Sequence, residues 1–387
     1  MSFRENIANH GDLCIGYYST VSIFRSVKIK QWLKGSAYTG RLPKGCIHCA
    51  RGGKLVLLVT GKCNAGCFYC PLSRKKRGKE AVYADEMRVA TDADIIKEAE
   101  LIRATGTGVT GGDPLIQPEE TARLIKLLKD NFGSRHHIHL YTTCTRRHAL
   151  ELVARAGLDE IRFHPPISAW DTLERTKFPE AFEHSKMLGL DVGVEIPAIP
   201  GTRGQILALL RVAERHELSF VNLNELEFSY TNWKALRKRG LDVKNDVSNA
   251  AKGSQRLALS VLRAGPKGLS LHYCSASFKD SIQLRRRILR RARSIKRPLD
   301  VITKDGTIVM GIIETRSPER VIREIVERFA VPKRYIEFNP EMNRVEIAPW
   351  VLQEIADELD EDAFIIEEYP TADRLEVERE RLSARRR

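Results

Sequence analysis

Five of the eight cysteines fall within 25 residues, from Cys46 to Cys70. In a long chain such crowding points to metal binding or redox chemistry, not to a disulfide scaffold. Two spacings overlap. Cys63-x3-Cys67-x2-Cys70 puts three thiols on one short loop. Cys46-x2-Cys49, seventeen residues, then Cys67-x2-Cys70 matches the spacing of four-cysteine zinc sites. The zinc reading, a ribbon that binds nucleic acid without catalysis, leaves Cys63 without a role. It also folds KLVLLVT (54–60) into a small knuckle, although that segment opens a long series of strands and helices. The three-cysteine reading has a chemical logic. A cubane of four irons is fully ligated by four thiolates. Three thiolates leave one iron open, and an open metal position marks a site that takes a substrate.

Other candidate residues sit where strands are expected to end. Gly111-Gly112-Asp113-Pro114 follows the second strand; in isolation it reads as an ordinary Gly-Asp-Pro turn. Tyr141-Thr142-Thr143 ends the third strand. Glu195, Ile196 and Pro197 lie on the fifth, and Asn222, Asn224 and Glu225 on the sixth. Each of these polar groups reads equally as a ligand or as a hydrogen-bonded strand end. Cys46 and Cys49 form a half-site for zinc or an auxiliary iron–sulfur cluster. Cys274 is expected to complete it, with His272, His48 or Cys14 as a fourth ligand. The alternative is that Cys274 is a small buried apolar group. Cys144 is expected in the core.

The segment KCNAGCFYCP (62–71) resembles the CxxxCxxC signature of radical S-adenosylmethionine (radical SAM) enzymes, including the aromatic Tyr69 before the third cysteine. The resemblance covers roughly residues 53–275. It implies a [4Fe–4S] cluster on Cys63, Cys67 and Cys70, whose open iron is chelated by S-adenosylmethionine. In that family one electron cleaves the sulfonium to a 5′-deoxyadenosyl radical, which takes hydrogen from the substrate. Gly111, Gly112 and Asp113 resemble the family's GGEP segment, whose backbone binds the methionine amino group, with Asp in place of the usual Glu. The same resemblance places Thr143 near the ribose, and Glu195 and Ile196 near the adenine. It implies a reductant such as a ferredoxin or flavodoxin. Within the superfamily the chain looks similar to uncharacterised proteins related to pyruvate formate-lyase activating enzyme.

The elements that must position these groups alternate from Lys54 to Cys274. Strand-like KLVLLVT, GTGVTGG, HIHLYTTC, EIRFHP, DVGVEIPA, FVNLNELEF and LSLHYC are separated by amphipathic helical segments. Repeated β-α units predict a parallel sheet with right-handed crossovers. The expected fold class is α/β, a (βα)6 partial barrel with ligands at the carboxyl ends of its strands. The expected division is an N-terminal extension (1–52), a core (53–275), a basic helix or linker (276–298) and a small α+β domain (299–387). That last domain reads ββαββα, with a turn at Asp305-Gly306, an N-cap at Ser317 and RLEVERERLSARRR as a frayed helix or tail.

Lys and Arg number 64 against 50 Asp and Glu, a formal net charge of +14. The balance favours anionic partners. SRKKRGK (73–79) and QLRRRILRRARSIKR (283–297) read as possible phosphate-tracking segments, with RNA as the most concrete substrate. A partner protein or a small phosphorylated metabolite or lipid are the alternatives. No apolar run approaches the ~20 residues that span a bilayer. MSFRENIANHGD lacks the apolar stretch of a secretory signal. A soluble, cytoplasmic protein without membrane insertion is therefore expected.

Overall fold

The computed structural model describes residues 28–383. Cys14 and the N-terminal segment lie outside the described residues. Seven parallel strands form the body: β1 (Lys54–Leu58), β2 (Gly106–Thr110), β3 (His137–Thr142), β4 (Glu160–Phe163), β5 (Asp191–Ala198), β6 (Phe220–Glu225) and β7 (Ser270–Cys274). Each pairs with the next in chain order. A doubly wound sheet would reverse direction at a switch point, whereas this order is that of a barrel. Among the described residues β1 and β7 do not pair; short antiparallel strands flank both edges, so the barrel is open. The outer wall is helical: α2 (Asp92–Leu101), α3 (Pro118–Phe132), α4 (Arg147–Arg155), α5 (Phe178–Met187), α6 (Arg203–Arg215) and α7 (Ser254–Ala264).

Local chemistry explains where these helices begin and end. Thr91 and Asp94 form a reciprocal capping box at the start of α2. Pro118 opens α3 at a position that needs no N–H, and Gly133 closes it at φ +77°. The apolar stripes meet the outer faces of the strands in one continuous core that includes Ile95, Leu124, Leu150, Phe182 and Leu210.

The N-terminal extension joins this body. Residues 30–31 and 37–38 add two antiparallel strands beyond β7. Helix α1 (Lys44–Ala50) lies across the amino ends of the strands. The Gly45 N–H donates to Glu160 at the start of β4 (3.2 Å), and His48 stacks on His137 at the start of β3.

The C-terminal domain is an antiparallel sheet ordered β9-β10-β8-β11-β12. Its strands are β8 (Ile308–Glu314), β9 (Ile336–Asn339), β10 (Arg344–Ile347), β11 (Asp362–Glu368) and β12 (Glu376–Ser383), packed with helices α9 (Pro318–Arg328) and α10 (Pro349–Ile355). One expectation is corrected here. Within the segment expected as a frayed helix or tail, residues 376–383 form β12, paired with β11. Its Glu and Arg residues favour a helix in isolation, but the period-2 alternation and a long partner strand override that preference.

The basic segment is a π-helical turn (Lys279–Leu284) running into α8 (Arg285–Ile295). Most of its arginines are spent on the protein itself. Arg286 donates to the Ala50 carbonyl (2.6 Å) and Arg290 to that of Ile102 (2.6 Å). Arg287 pairs with Asp85 and Glu86, at 2.6 and 2.8 Å. Arg291 grips Glu98 on α2 (2.8 Å) and donates to the Pro370 carbonyl of the C-terminal domain. The helix is a clamp between barrel and C-terminal domain, so the phosphate-tracking role expected for it loses its basis.

Breaking that clamp is expected to be costly. Arg291→Ala strands the buried Glu98 carboxylate and should destabilise the protein by about 3–5 kcal/mol. Replacing both partners (Arg291→Met with Glu98→Leu) should cost less than either single change. Urea unfolding of the two single variants and the double variant checks this; a loss in the double variant equal to the sum of the two single losses would show that the pair contributes no such coupling.

Candidate active site

A cavity of about 960 Å³ opens at the carboxyl ends of the strands, and the loop after β1 forms one wall. Cys63, Cys67 and Cys70 all line it, and all are free thiols. Gly66 lets the loop turn: it sits at φ +61°, which residues with a Cβ rarely adopt. Burial raises the Cys63 and Cys67 thiols above their usual pKa, so metal binding must displace their protons.

The loop is held on both sides. Tyr69 is buried, and its hydroxyl meets His164 Nε2 at 2.9 Å. The other ring nitrogen, Nδ1, faces the Glu195 carbonyl oxygen at 2.6 Å and must be the donor. Burial lowers the His164 pKa, so Nε2 accepts the Tyr69 proton. From behind, Asn232 donates to the Tyr69 carbonyl (3.0 Å) and to that of Glu227 (2.9 Å). His164 and Asn232 were not singled out from sequence. His164 carried a usable signal, a polar residue just beyond a strand end; Asn232, inside a long insertion, carried none.

Gly111 and Gly112 line the cavity where β2 ends. The Gly112 N–H donates to Thr60 O (2.7 Å) and the Asp113 N–H to Lys62 O (2.8 Å). A Cβ on Gly111 would overlap the Thr60 carbonyl, and one on Gly112 the Lys62 carbonyl. The glycines therefore let the second strand's loop pack directly against the root of the cysteine loop.

Asp113 is buried and does not line the cavity. Its carboxylate accepts from Leu115 N (3.0 Å), Thr142 Oγ1 (2.7 Å), Thr143 N (2.8 Å) and Thr143 Oγ1 (2.6 Å). It ties the end of β2 to the end of β3, and Thr143, which lines the cavity, is thereby fixed. The Asp113 side chain is a positioning group.

Glu195 lines the cavity with its carboxylate engaged by Arg162 (2.6 Å), Asn222 (2.9 Å) and Asn224 (2.8 Å). Burial alone would raise its pKa; Arg162 and the two amides outweigh this and hold it at about 2. Asn222 and Asn224, expected at the cofactor, spend these amide donors on Glu195. Asn224 reaches the cavity wall, whereas Asn222 lies deeper. Ile196 is also corrected. Alternation along β5 sends its side chain to the outer core, and Pro197 reaches the cavity instead.

Among the described residues no three His, Cys, Asp or Glu side chains converge tightly enough to hold a single metal ion. Neither the four-cysteine set nor Cys46, Cys49, Cys274 and His272 forms such a tight group. This does not count against a cubane. There each thiolate binds its own iron, and the sulfurs spread around the cluster. The three free thiols on one loop, facing a roomy cavity, fit such a group. His48 does not line the cavity shared by Cys46, Cys49, His272 and Cys274; its Nδ1 faces Thr105 Oγ1 at 2.7 Å.

Asp113→Asn should place an amide N–H against donors on Thr142 or Thr143. The folded variant is expected to bind S-adenosylmethionine about 10- to 100-fold more weakly, by the worth of one hydrogen bond to a charged group. Equilibrium dialysis of reconstituted protein measures this. Unchanged affinity would mean that the Asp113 lattice does not shape the cofactor site.

Comparison with known proteins places this geometry. Residues 57–210 match the radical SAM superfamily, and residues 306–382 match a domain of unknown function, DUF8061. A protein of Methanocaldococcus jannaschii, provisionally named glycyl-radical enzyme activating enzyme MJ0021, is 39% identical over 363 residues, covering 88% of this chain and 92% of that one. Among solved structures, SuiB of Streptococcus suis bound to S-adenosylmethionine is 10% identical with a TM-score of 0.38. That match covers 58% of this chain, which spans half the length of SuiB. The [FeFe]-hydrogenase maturase HydG is 13% identical with a TM-score of 0.39, over 59% of each chain. The chain belongs to the radical SAM superfamily of enzymes and is related to its activating enzymes.

Proposed function

We propose that this radical SAM enzyme takes a hydrogen atom from a partner protein, as an activating enzyme does. The observation that carries the reading is the 39% identity, along nearly the whole of both chains, to a relative named as a glycyl-radical enzyme activating enzyme. The surface beside the cysteine loop is compatible with it. Tyr230 is 80% exposed with Arg74 over its ring, and Trp233 is exposed nearby. Arg239 lies over Phe68 of the cysteine loop. Exposed aromatic side chains and arginines suit contact with a polypeptide. The RNA alternative is weakened because most of the arginines of α8 are bonded within the protein.

In this reading Cys63, Cys67 and Cys70 hold the cluster, and the Gly111–Gly112 backbone lines the place of the methionine end. Together the cluster and S-adenosylmethionine supply one-electron cleavage and hydrogen abstraction. The protein's part is to orient and to exclude water. Tyr69 and His164 fix the loop from within, Asp113 fixes Thr143, and Glu195 keeps its charge beside the cavity. A small electron-transfer protein, a ferredoxin or flavodoxin, is the expected reductant.

Two measurements test the reading. Reconstituted anaerobically and reduced, the wild type should form 5′-deoxyadenosine and Cys63→Ala only background amounts; equal yields would sink the cluster assignment. Cell extract should then stimulate product formation after nuclease treatment but not after protease treatment. The reverse pattern would replace the protein partner with a nucleic acid.

A further inference from the structure

Beneath the catalytic cavity lies a smaller one of about 180 Å³, lined by Cys46, Cys49, His272, Cys274, Lys54 and Arg162 among others. Its thiols come from opposite ends of the barrel core. Cys46 and Cys49, at i and i+3, share one face of α1. His272 and Cys274, at i and i+2, share one face of β7. The open barrel curls so that its first and last strands wall the same space, and α1 closes the floor.

Inert buried cysteines sit among aliphatic groups. These do not. Cys46 Sγ has His272 Nδ1 at 3.5 Å, Asn222 Nδ2 at 3.5 Å and Arg162 Nη2 at 3.6 Å. The sulfur is ringed by polar nitrogens, as sulfurs of metal clusters are. Two buried polar atoms at the site, His272 Nε2 and Asn222 Oδ1, have no hydrogen-bond partner. Buried polar groups are rarely left so, which points to an occupant.

Charge gives an independent argument. Lys54 is 7% exposed, and among the described residues it has no carboxylate within ion-pair distance. Its neighbours are the Tyr141 hydroxyl (3.4 Å) and the Cys49 thiol. A buried ammonium without an anion is costly. An anionic group seated among the thiols would balance it. The thiols surround a space and do not converge on a point, which fits a cluster with several irons better than one zinc ion.

We propose that Cys46, Cys49 and Cys274, with His272 as fourth ligand, hold a second iron–sulfur cluster in this lower cavity. Tyr141, Glu195 and Asn224 line both cavities, so the second cluster sits beneath the floor of the catalytic one. The assignment does not depend on the partner or on hydrogen abstraction.

The test uses the full chain with Cys63, Cys67 and Cys70 all changed to Ala, reconstituted anaerobically with iron and sulfide. It should keep about half of the wild-type iron and acid-labile sulfide, with an EPR signal on reduction. Adding Cys46→Ala or Cys274→Ser should remove at least roughly nine-tenths of that remainder, whereas His272→Cys should keep it with an altered spectrum. Thermal melts identify any variant that has unfolded, and the other thiol variant then decides. A folded triple variant holding no iron, or zinc alone, would overturn the proposal. So would iron retention unchanged by both Cys46→Ala and Cys274→Ser. Failure of the radical SAM reading would look different, as absence of 5′-deoxyadenosine from fully loaded wild type.

Discussion

The Arg162 guanidinium lies in the middle of the barrel, 2% exposed, and the two cavities exist because of how it is paired. It holds Glu160 at the amino end of β4 and Glu195 on β5, both at hydrogen-bond distance. Asn222 and Asn224 complete the set from β6. Barrel interiors are ordinarily filled by layers of branched aliphatic side chains. Here Lys54, Arg162, Glu195, Asn222, Asn224 and His272 face the lower cavity. Charges buried this way must be matched, because a single unpaired one costs more than the pair contributes. The matching forces a fixed arrangement, and the arrangement leaves space above and below it.

That lattice also ties the site to the cysteine loop. The Glu195 carbonyl orients His164, which orients Tyr69, which precedes the last cysteine. Asp113 does the same from the opposite side: its N–H donates to the Lys62 carbonyl beside Cys63, while its carboxylate accepts from Thr142 and Thr143. The loop itself is short, and Cys67, Phe68 and Tyr69 anchor it to the core. Its shape is imposed by groups on β2, β4 and β5 that never reach the thiols.

Some of this could be read from the sequence, and the boundary is physical. The β-α alternation was legible because periodicity is local. The cysteine loop was legible because its spacing is local too. The meeting of Cys46 with His272 followed from topology: a curled sheet brings its first and last strands together. Asn232 was missed because it lies inside a long insertion, and the Tyr69 carbonyl that it meets is distant in the chain. Ile196 was misplaced because one step along a strand reverses the face. Strand β12 was misread because Glu and Arg carry a helical preference, while the pairing that overrides it lies in β11.

The formal charge of +14 is the clearest case of a sequence signal that needs structure to interpret it. Charge composition reports sign, and it says nothing about where the charged heads lie. Arg286, Arg287, Arg290 and Arg291 count toward the surplus, yet their guanidinium groups are used on carbonyls and carboxylates of the same chain. What stays exposed near the site is the segment after the third cysteine, with Arg74, Lys75, Arg77 and Lys79 in solvent. Arg77 and Lys76 line the catalytic cavity, and burial lowers the Lys76 pKa. Exposed cations therefore border the cavity mouth, whereas most of the α8 arginines are engaged within the chain. An anionic surface would be steered to the cysteine loop, where an electron donor must also approach. The same argument demotes a long nucleic acid, which needs an extended basic track. It favours a partner that makes one compact contact around an open cavity.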